Sequence, residues 1–189
     1  MKLFGSTTSP YVRRIRLYFS NLNYEFVNLD IFSSDGSDEL AKQNPAKKVP
    51  ALLDGDLCIY DSRVIYRYLA EKQGETTLTW PQENLLTLID AANDSLVTLL
   101  ISKRSEIDTT EDKLLFNLQH SRLDTVFDVL EKEVSSGAFE GWNYPSVCLF
   151  CLLDWVKFRD LYDLSQHTNL LNFWKNNTSQ KGVKETDPR

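Results

Sequence analysis

The chain has 189 residues, enough for one substantial hydrophobic core or two smaller ones. Its 42% apolar and 25% charged residues are usual for a soluble globular protein. A net charge of −6 argues against general binding to nucleic acid or a membrane surface. The charge is uneven: residues 1–80 carry ten Lys/Arg against ten Asp/Glu, and residues 81–189 carry eleven against seventeen, which points to two units with different surfaces. Three cysteines, Cys58, Cys148 and Cys151, make no disulfide framework and fit a reducing compartment. Met1 leads straight into Lys2-Leu3-Phe4-Gly5 with no signal-sequence pattern. The longest apolar run, residues 147–153, falls far short of the ~20 residues of a membrane helix. The expectation is a cytoplasmic protein that binds neither membrane nor nucleic acid.

Residues 2–4 read as a short strand and 5–9 as the loop leaving it. Ser9-Pro10 is a helix start, because Ser is a favoured N-cap and Pro suits the first helical position. Val12, Ile15, Phe19 and Leu22 share one helical face, with Arg13, Arg14 and Arg16 largely off it. Residues 24–31 alternate as a second strand, 33–37 form a loop, and 38–42 supply one or two helical turns.

The stretch 44–62, NPAKKVPALLDGDLCIYDS, follows. Two apolar runs joined by Asp54-Gly55-Asp56 predict a tight hairpin, since Gly supplies the positive φ that such turns need. Pro50 stands just before the first run, where its missing N–H is tolerated, and the Val49-Pro50 bond is a candidate cis peptide. Asp61-Ser62 stands where a helix begins, with Val64, Ile65, Tyr68 and Leu69 at helical spacing and a stop at Gly74.

A polar segment, residues 75–82, reads as a linker between a first domain, 1–74, and a second, 83–189. Beyond it the period is helical. Leu85, Leu88, Ile89, Ala92, Leu96 and Leu99 form one stripe, and Leu123, Val126, Phe127, Leu130 and Val134 another. Thr109-Thr110-Glu111-Asp112 predicts a helix N-terminus. Residues 147–158 are apolar on nearly all sides, as in a helix surrounded by others. A last helix is expected over 165–176, and a loosely held polar tail over 178–189.

The order βαβ, link, ββα, with the proline before the hairpin and an acid-Ser pair opening the next helix, resembles the thioredoxin-like domain of the glutathione transferase superfamily. The resemblance runs upstream to Met1 and, more faintly, through the helical half. It implies an α/β thioredoxin-like N-terminal domain followed by an all-α C-terminal domain, most like compact bacterial members. It also implies glutathione as co-substrate, no metal, a homodimer and a role in detoxification. Within that resemblance the glutathione-binding residues are Lys48, Val49, Pro50, Asp61 and Ser62. The Val49 main chain meets the cysteine of glutathione, Asp61-Ser62 holds its γ-glutamyl end, and Lys48 lies near its glycine carboxylate. Ser9 matches the serine of the serine-type S-P-aromatic pattern that stabilises the thiolate, and Tyr11 would line the pocket for a second, electrophilic substrate between the domains. Asp61 replaces the Glu of many relatives. Ser146 keeps the serine of a helix-start box whose acid is Leu149 here.

Half-ionising a thiol of pKa ~8.5 at pH 7 takes roughly 2 kcal/mol, which one hydrogen bond to a charged acceptor can supply. Ser9 and Asp61-Ser62 also read as plain helix caps, and Lys47 as a solvated loop residue. Thr7 and Thr8 are backup donors on the same loop. Cys148-x-x-Cys151 lies inside an apolar helical run and reads as buried structure. His120 and His167 read as single and unpartnered, and Asp90, Asp94, Asp124 and Asp128 as solvated faces. The leading expectation is therefore a glutathione transferase acting on a small electrophile. The alternatives are a glutathione-dependent disulfide reductase or peroxidase and a non-catalytic protein-binding member of the fold.

Overall fold

Strands β1 (Lys2–Gly5), β2 (Glu25–Asn28), β3 (Ala51–Asp54) and β4 (Leu57–Tyr60) form one sheet in the order β2-β1-β3-β4 in the computed structural model, which describes residues 1–189. β2 runs parallel to β1, while β3 is antiparallel to β1 and to β4. Helix α1 (Pro10–Tyr18) crosses from β1 to β2, α2 (Ser34–Gln43) links β2 to β3, and α3 (Ser62–Lys72) follows β4. This is the expected thioredoxin-like order. Alternation along the strands sends Leu3, Leu52 and Ile59 to one face and Phe4 and Ala51 to the other, where they meet Leu29 and Leu40.

The α2 helix is longer than the one or two turns predicted. Ser33 caps it by accepting from the Gly36 N–H at 3.1 Å. Gly36 has no substitute, because a Cβ there would lie 2.0 Å from the Asp30 carbonyl oxygen.

The structure divides into two compact units, Met1–Leu78 with Ser179–Arg189, and Thr79–Thr178. The boundaries differ from expectation at both places. Helix α4 (Trp80–Arg104) begins inside the predicted linker, closed by a capping box between Thr79 and Gln82. The tail is not loose: Val183 and Thr186 are buried in the first unit. Arg13 donates from Nη2 to the Val183 carbonyl at 3.1 Å and from Nε to Thr186 Oγ1 at 3.3 Å. Arg13 and Arg14, predicted to lie off the buried face of α1, are both buried.

The second unit is α4, α5 (Leu114–Ser135), α6 (Tyr144–Arg159) and α7 (Thr168–Asn177). α6 is buried from Tyr144 to Val156, including Cys148 and Cys151. Its N-cap is Asn143 rather than Ser146. Asn143 Oδ1 accepts from the Ser146 N–H, and the Ser146 hydroxyl reaches Phe139 O, so no acid is required at 149. By length and apolarity α4 is long enough to cross a bilayer, but Leu85, Leu86, Ile89, Ala92 and Leu96 are buried within this unit.

α5 begins at Leu114, not Thr109, and α7 at Thr168, not Ser165. His120 and His167 have neighbours after all: Nε2 of His120 lies 3.1 Å from Thr109 O, and Nε2 of His167 lies 3.3 Å from Asp128 Oδ1. Asp124 is likewise engaged, accepting from the Tyr162 hydroxyl at 2.8 Å.

Candidate functional site

The sheet register assembles one end of the first unit. Phe4 pairs with Ala51, and Ala51 pairs with Tyr60, so the three strands share a row. Neighbouring strands lie about 4.8 Å apart, so the row spans only about 10 Å. At this row three chain segments leave or join the sheet. They are the loop from Gly5 to Ser9, the Val49–Pro50 segment running into β3, and the Asp61–Ser62 segment leaving β4. Residues far apart in sequence are thereby gathered at one edge.

Ser9 is the N-cap of α1, with its Oγ accepting from the Val12 N–H at 3.4 Å. A serine hydroxyl that accepts keeps its own hydrogen to donate, so capping does not exhaust it. Gly5 lets α1 start close to the sheet, since a Cβ there would fall 2.6 Å from a Val12 methyl. The same loop is pinned by Asn28, whose Oδ1 accepts from the Thr7 N–H at 3.1 Å, and Thr8 Oγ1 lies 3.1 Å from Ser6 Oγ. Of the two backup donors, Thr8 is thus already paired with Ser6.

The Val49–Pro50 peptide is cis, and Pro50 is buried. The ladder begins at Ala51, which leaves the Val49 main chain outside it. The approach to this bond is organised by Asn44, 2% exposed. Its Nδ2 donates to the Lys48 carbonyl at 2.7 Å and its Oδ1 accepts from the Ala46 N–H at 2.9 Å. Lys47 adopts φ 52 within this turn, and the Lys47 and Lys48 side chains are exposed. Asn44 was missed by sequence reasoning; burial is what distinguishes it.

Asp61 is the N-cap of α3, accepting from the Arg63 N–H at 2.8 Å, and adopts φ 76, ψ 132. A non-glycine residue there is strained by roughly 1–3 kcal/mol, and such strain gathers where a side chain is needed for function. Ser62, next to it, is 3% exposed. Arg14 Nη1 lies 3.5 Å from Ser62 Oγ, and the Arg14 guanidinium carbon lies 4.7 Å from the centre of the half-buried Tyr11 ring. The one cysteine of this unit, Cys58, donates its thiol to the Gln43 carbonyl at 3.0 Å, and burial pushes its pKa up. The arrangement as a whole offers two helix N-termini, an unladdered main-chain segment and a lysine, which suits an extended ligand with anionic ends.

Residues 3–77 match the family described as glutathione S-transferase, N-terminal domain. Over 174 residues the chain is 29% identical to the GST-like protein YibF of Escherichia coli, covering 84% of this chain and 83% of that one. Over 154 residues it is 28% identical to glutathione S-transferase F6 of Arabidopsis thaliana, covering 74% of each. Among solved structures, a glutathione S-transferase from Methylobacillus flagellatus with GSH bound superimposes with a TM-score of 0.86. That likeness has 21% identity and covers 100% of this chain and 99% of the other.

Proposed function

We propose that the chain, whose residues 3–77 match the glutathione S-transferase N-terminal domain family, binds glutathione at the Phe4–Ala51–Tyr60 row and directs its thiolate at a small electrophile. The observation that carries this reading is the register that gathers the Ser9 loop, the Val49–Pro50 segment and Asp61–Ser62 at one edge. In this reading the Val49 main chain pairs with the cysteinyl unit of the tripeptide across the bend at Pro50. Asp61, Ser62 and the first amides of α3 take the γ-glutamyl end, and Lys48 takes the glycine carboxylate. The Ser9 hydroxyl donates to the sulfur while its lone pair caps α1, and the α1 N-terminus adds its partial positive charge. Tyr11, in the first turn of α1, meets the electrophile. Cys58 is hydrogen-bonded to the Gln43 carbonyl and burial disfavours its thiolate, which supports the bound tripeptide as the source of the nucleophile.

Calorimetric titration with glutathione tests the reading. Binding is expected for the unmutated chain and is expected to disappear in the Asp61→Ala, Ser62→Ala double variant. No heat at millimolar ligand would instead support the protein-binding alternative. Ser9→Ala is expected to leave affinity nearly intact while raising the pKa of the bound thiol, read as thiolate absorbance in the ultraviolet. An unshifted titration would move the role to Thr7 or Thr8. Parallel assays with a chloronitrobenzene and a hydroxyethyl disulfide separate transfer from disulfide reduction. A homodimer is part of the same proposal. The exposed apolar side chains Leu57, Tyr60 and Val64 on β4 and α3 support it, and sedimentation at micromolar concentration checks it.

A further inference from the structure

Arg14 carries a permanent charge, yet none of its surface is exposed. Taking a guanidinium out of water is costly unless its donors and charge are put to use. Two uses stand on either side of it. On its own helix, three residues back, the Tyr11 ring faces the guanidinium carbon at 4.7 Å, a spacing at which helical side chains meet and at which a flat cation is attracted to an aromatic face. On α3, Nη1 approaches Ser62 Oγ at 3.5 Å.

The chemistry of that second contact has a direction. A guanidinium only donates, so the Ser62 oxygen accepts from it and the Ser62 hydrogen lies off the Arg14 side. We propose that Arg14 is a positioning residue that fixes the Ser62 hydroxyl as a donor at the start of α3, so that the site selects a carboxylate-ended ligand there. The inference rests on the glutathione reading above and adds to it the residue that sets the polarity of the γ-glutamyl subsite. The Tyr11 face holds the guanidinium plane, which a lysine, a point charge on a flexible stem, does not reproduce.

Arg13 supplies the control. It is equally buried on the same helix but spends its donors on Val183 and Thr186. A purely structural role for buried charge in α1 would make the two arginines equivalent toward ligand.

The test measures discrimination rather than affinity alone. Full-length protein is titrated calorimetrically with glutathione and with the analogue whose γ-glutamyl α-carboxylate is replaced by hydrogen. The unmutated chain is expected to favour glutathione by about tenfold, the Ser62 hydroxyl and the first amides of α3 together holding the carboxylate. Arg14→Met is expected to reduce that preference to about threefold, the amides keeping the remainder. Arg14→Lys, which keeps charge and volume and so guards against a folding failure, is expected to fall between. Arg13→Met is expected to lower the urea midpoint while leaving the tenfold preference in place. In a Ser62→Ala background, Arg14→Met should cause no further loss of preference. Full preference in both Arg14 variants, or equal loss in Arg13→Met, overturns the proposal while leaving glutathione binding standing. Absence of glutathione binding in the unmutated chain overturns both.

Discussion

The two ends of the four-stranded sheet solve the same geometrical problem in opposite ways. At the Asp54–Leu57 end the β3–β4 turn needs a positive φ and gives it to Gly55, at φ 61, with nothing within 4 Å of where a Cβ would be. Charges there are matched at the surface or close to it: Lys2 pairs with Glu25 at 3.0 Å, and the half-buried Asp54 accepts from Tyr68 at 2.8 Å and from the exposed Lys72. At the Phe4–Ala51–Tyr60 end the positive φ falls on Asp61, where glycine would cost less, and two arginines nearby on α1 are buried. A turn that only reverses the chain is made from the residue with least strain. A turn that must present a side chain keeps that side chain and bears the strain, and in the proposed reading Asp61 is such a turn.

The comparison is broken most directly at Asn44, where the site end depends on a buried side chain and the hairpin end has no counterpart. Asn44→Ala leaves the Lys48 carbonyl and the Ala46 N–H without their partners. It is expected to cost about 2 kcal/mol in urea unfolding and to weaken glutathione binding as the approach to Pro50 loosens. A loss of stability with affinity unchanged would separate the Asn44 turn from the site.

The next effect is smaller but has a sign on each side. Asp61→Gly removes the strained φ at the expense of a slightly poorer cap, and is expected to raise stability by about 1 kcal/mol while weakening glutathione binding. Gly55→Ala meets no steric obstacle but must adopt φ 61, and is expected to lower stability by about 1 kcal/mol with binding untouched. If Asp61→Gly unfolds at lower urea than the unmutated chain, the strain at Asp61 is not the cost taken here.

The site's outline was legible because each part has a local signal: Asp-Gly between apolar runs, Pro before a strand, Ser-Pro before a helical face. What was illegible depends on partners distant in sequence. Arg13 and Arg14 look solvent-facing by charge, but α1 is covered on more than one side, and the covering for Arg13 comes from Val183 and Thr186. Those two residues sit in a tail whose polar composition gave no hint of burial. The start of α7 is fixed by Glu131 on α5, whose carboxylate accepts from the Asn169 and Leu170 N–H groups at 2.8 and 2.9 Å. Before it, Asp163 holds Ser165 in a local turn, as Asp108 holds Thr110 before α5. Asp, Ser and Thr compete with helical hydrogen bonding in that way, which is why α5 begins later than Thr109 and α7 later than Ser165.

The smallest expected effect tests whether charge at the hairpin end is as ordinary as its geometry. Hydrogen bonds from Lys72, then Tyr68, hold the Asp54 carboxyl below its usual 3.8. A depressed acid contributes stability above its unfolded pKa and loses it as pH falls through the folded value. The Tyr68 hydroxyl, raised above 10.0 chiefly by its hydrogen bond to Asp54, and the Lys72 ammonium, raised above 10.5 by the same partner, behave in the reverse sense. Their contribution is present below those values and is lost as pH rises through the raised ones. The clamp is therefore fully engaged between about pH 3.8 and 10.0. The difference in urea midpoint between the unmutated chain and Lys72→Met should form a low plateau across that window and shrink on both sides. Added salt should lower the plateau, because the Lys72 ammonium is exposed and screened. A difference that persists unchanged at about pH 3 would mean Lys72 acts through packing of its stem rather than its charge, and the hairpin end would then owe its stability to something other than matched surface charge.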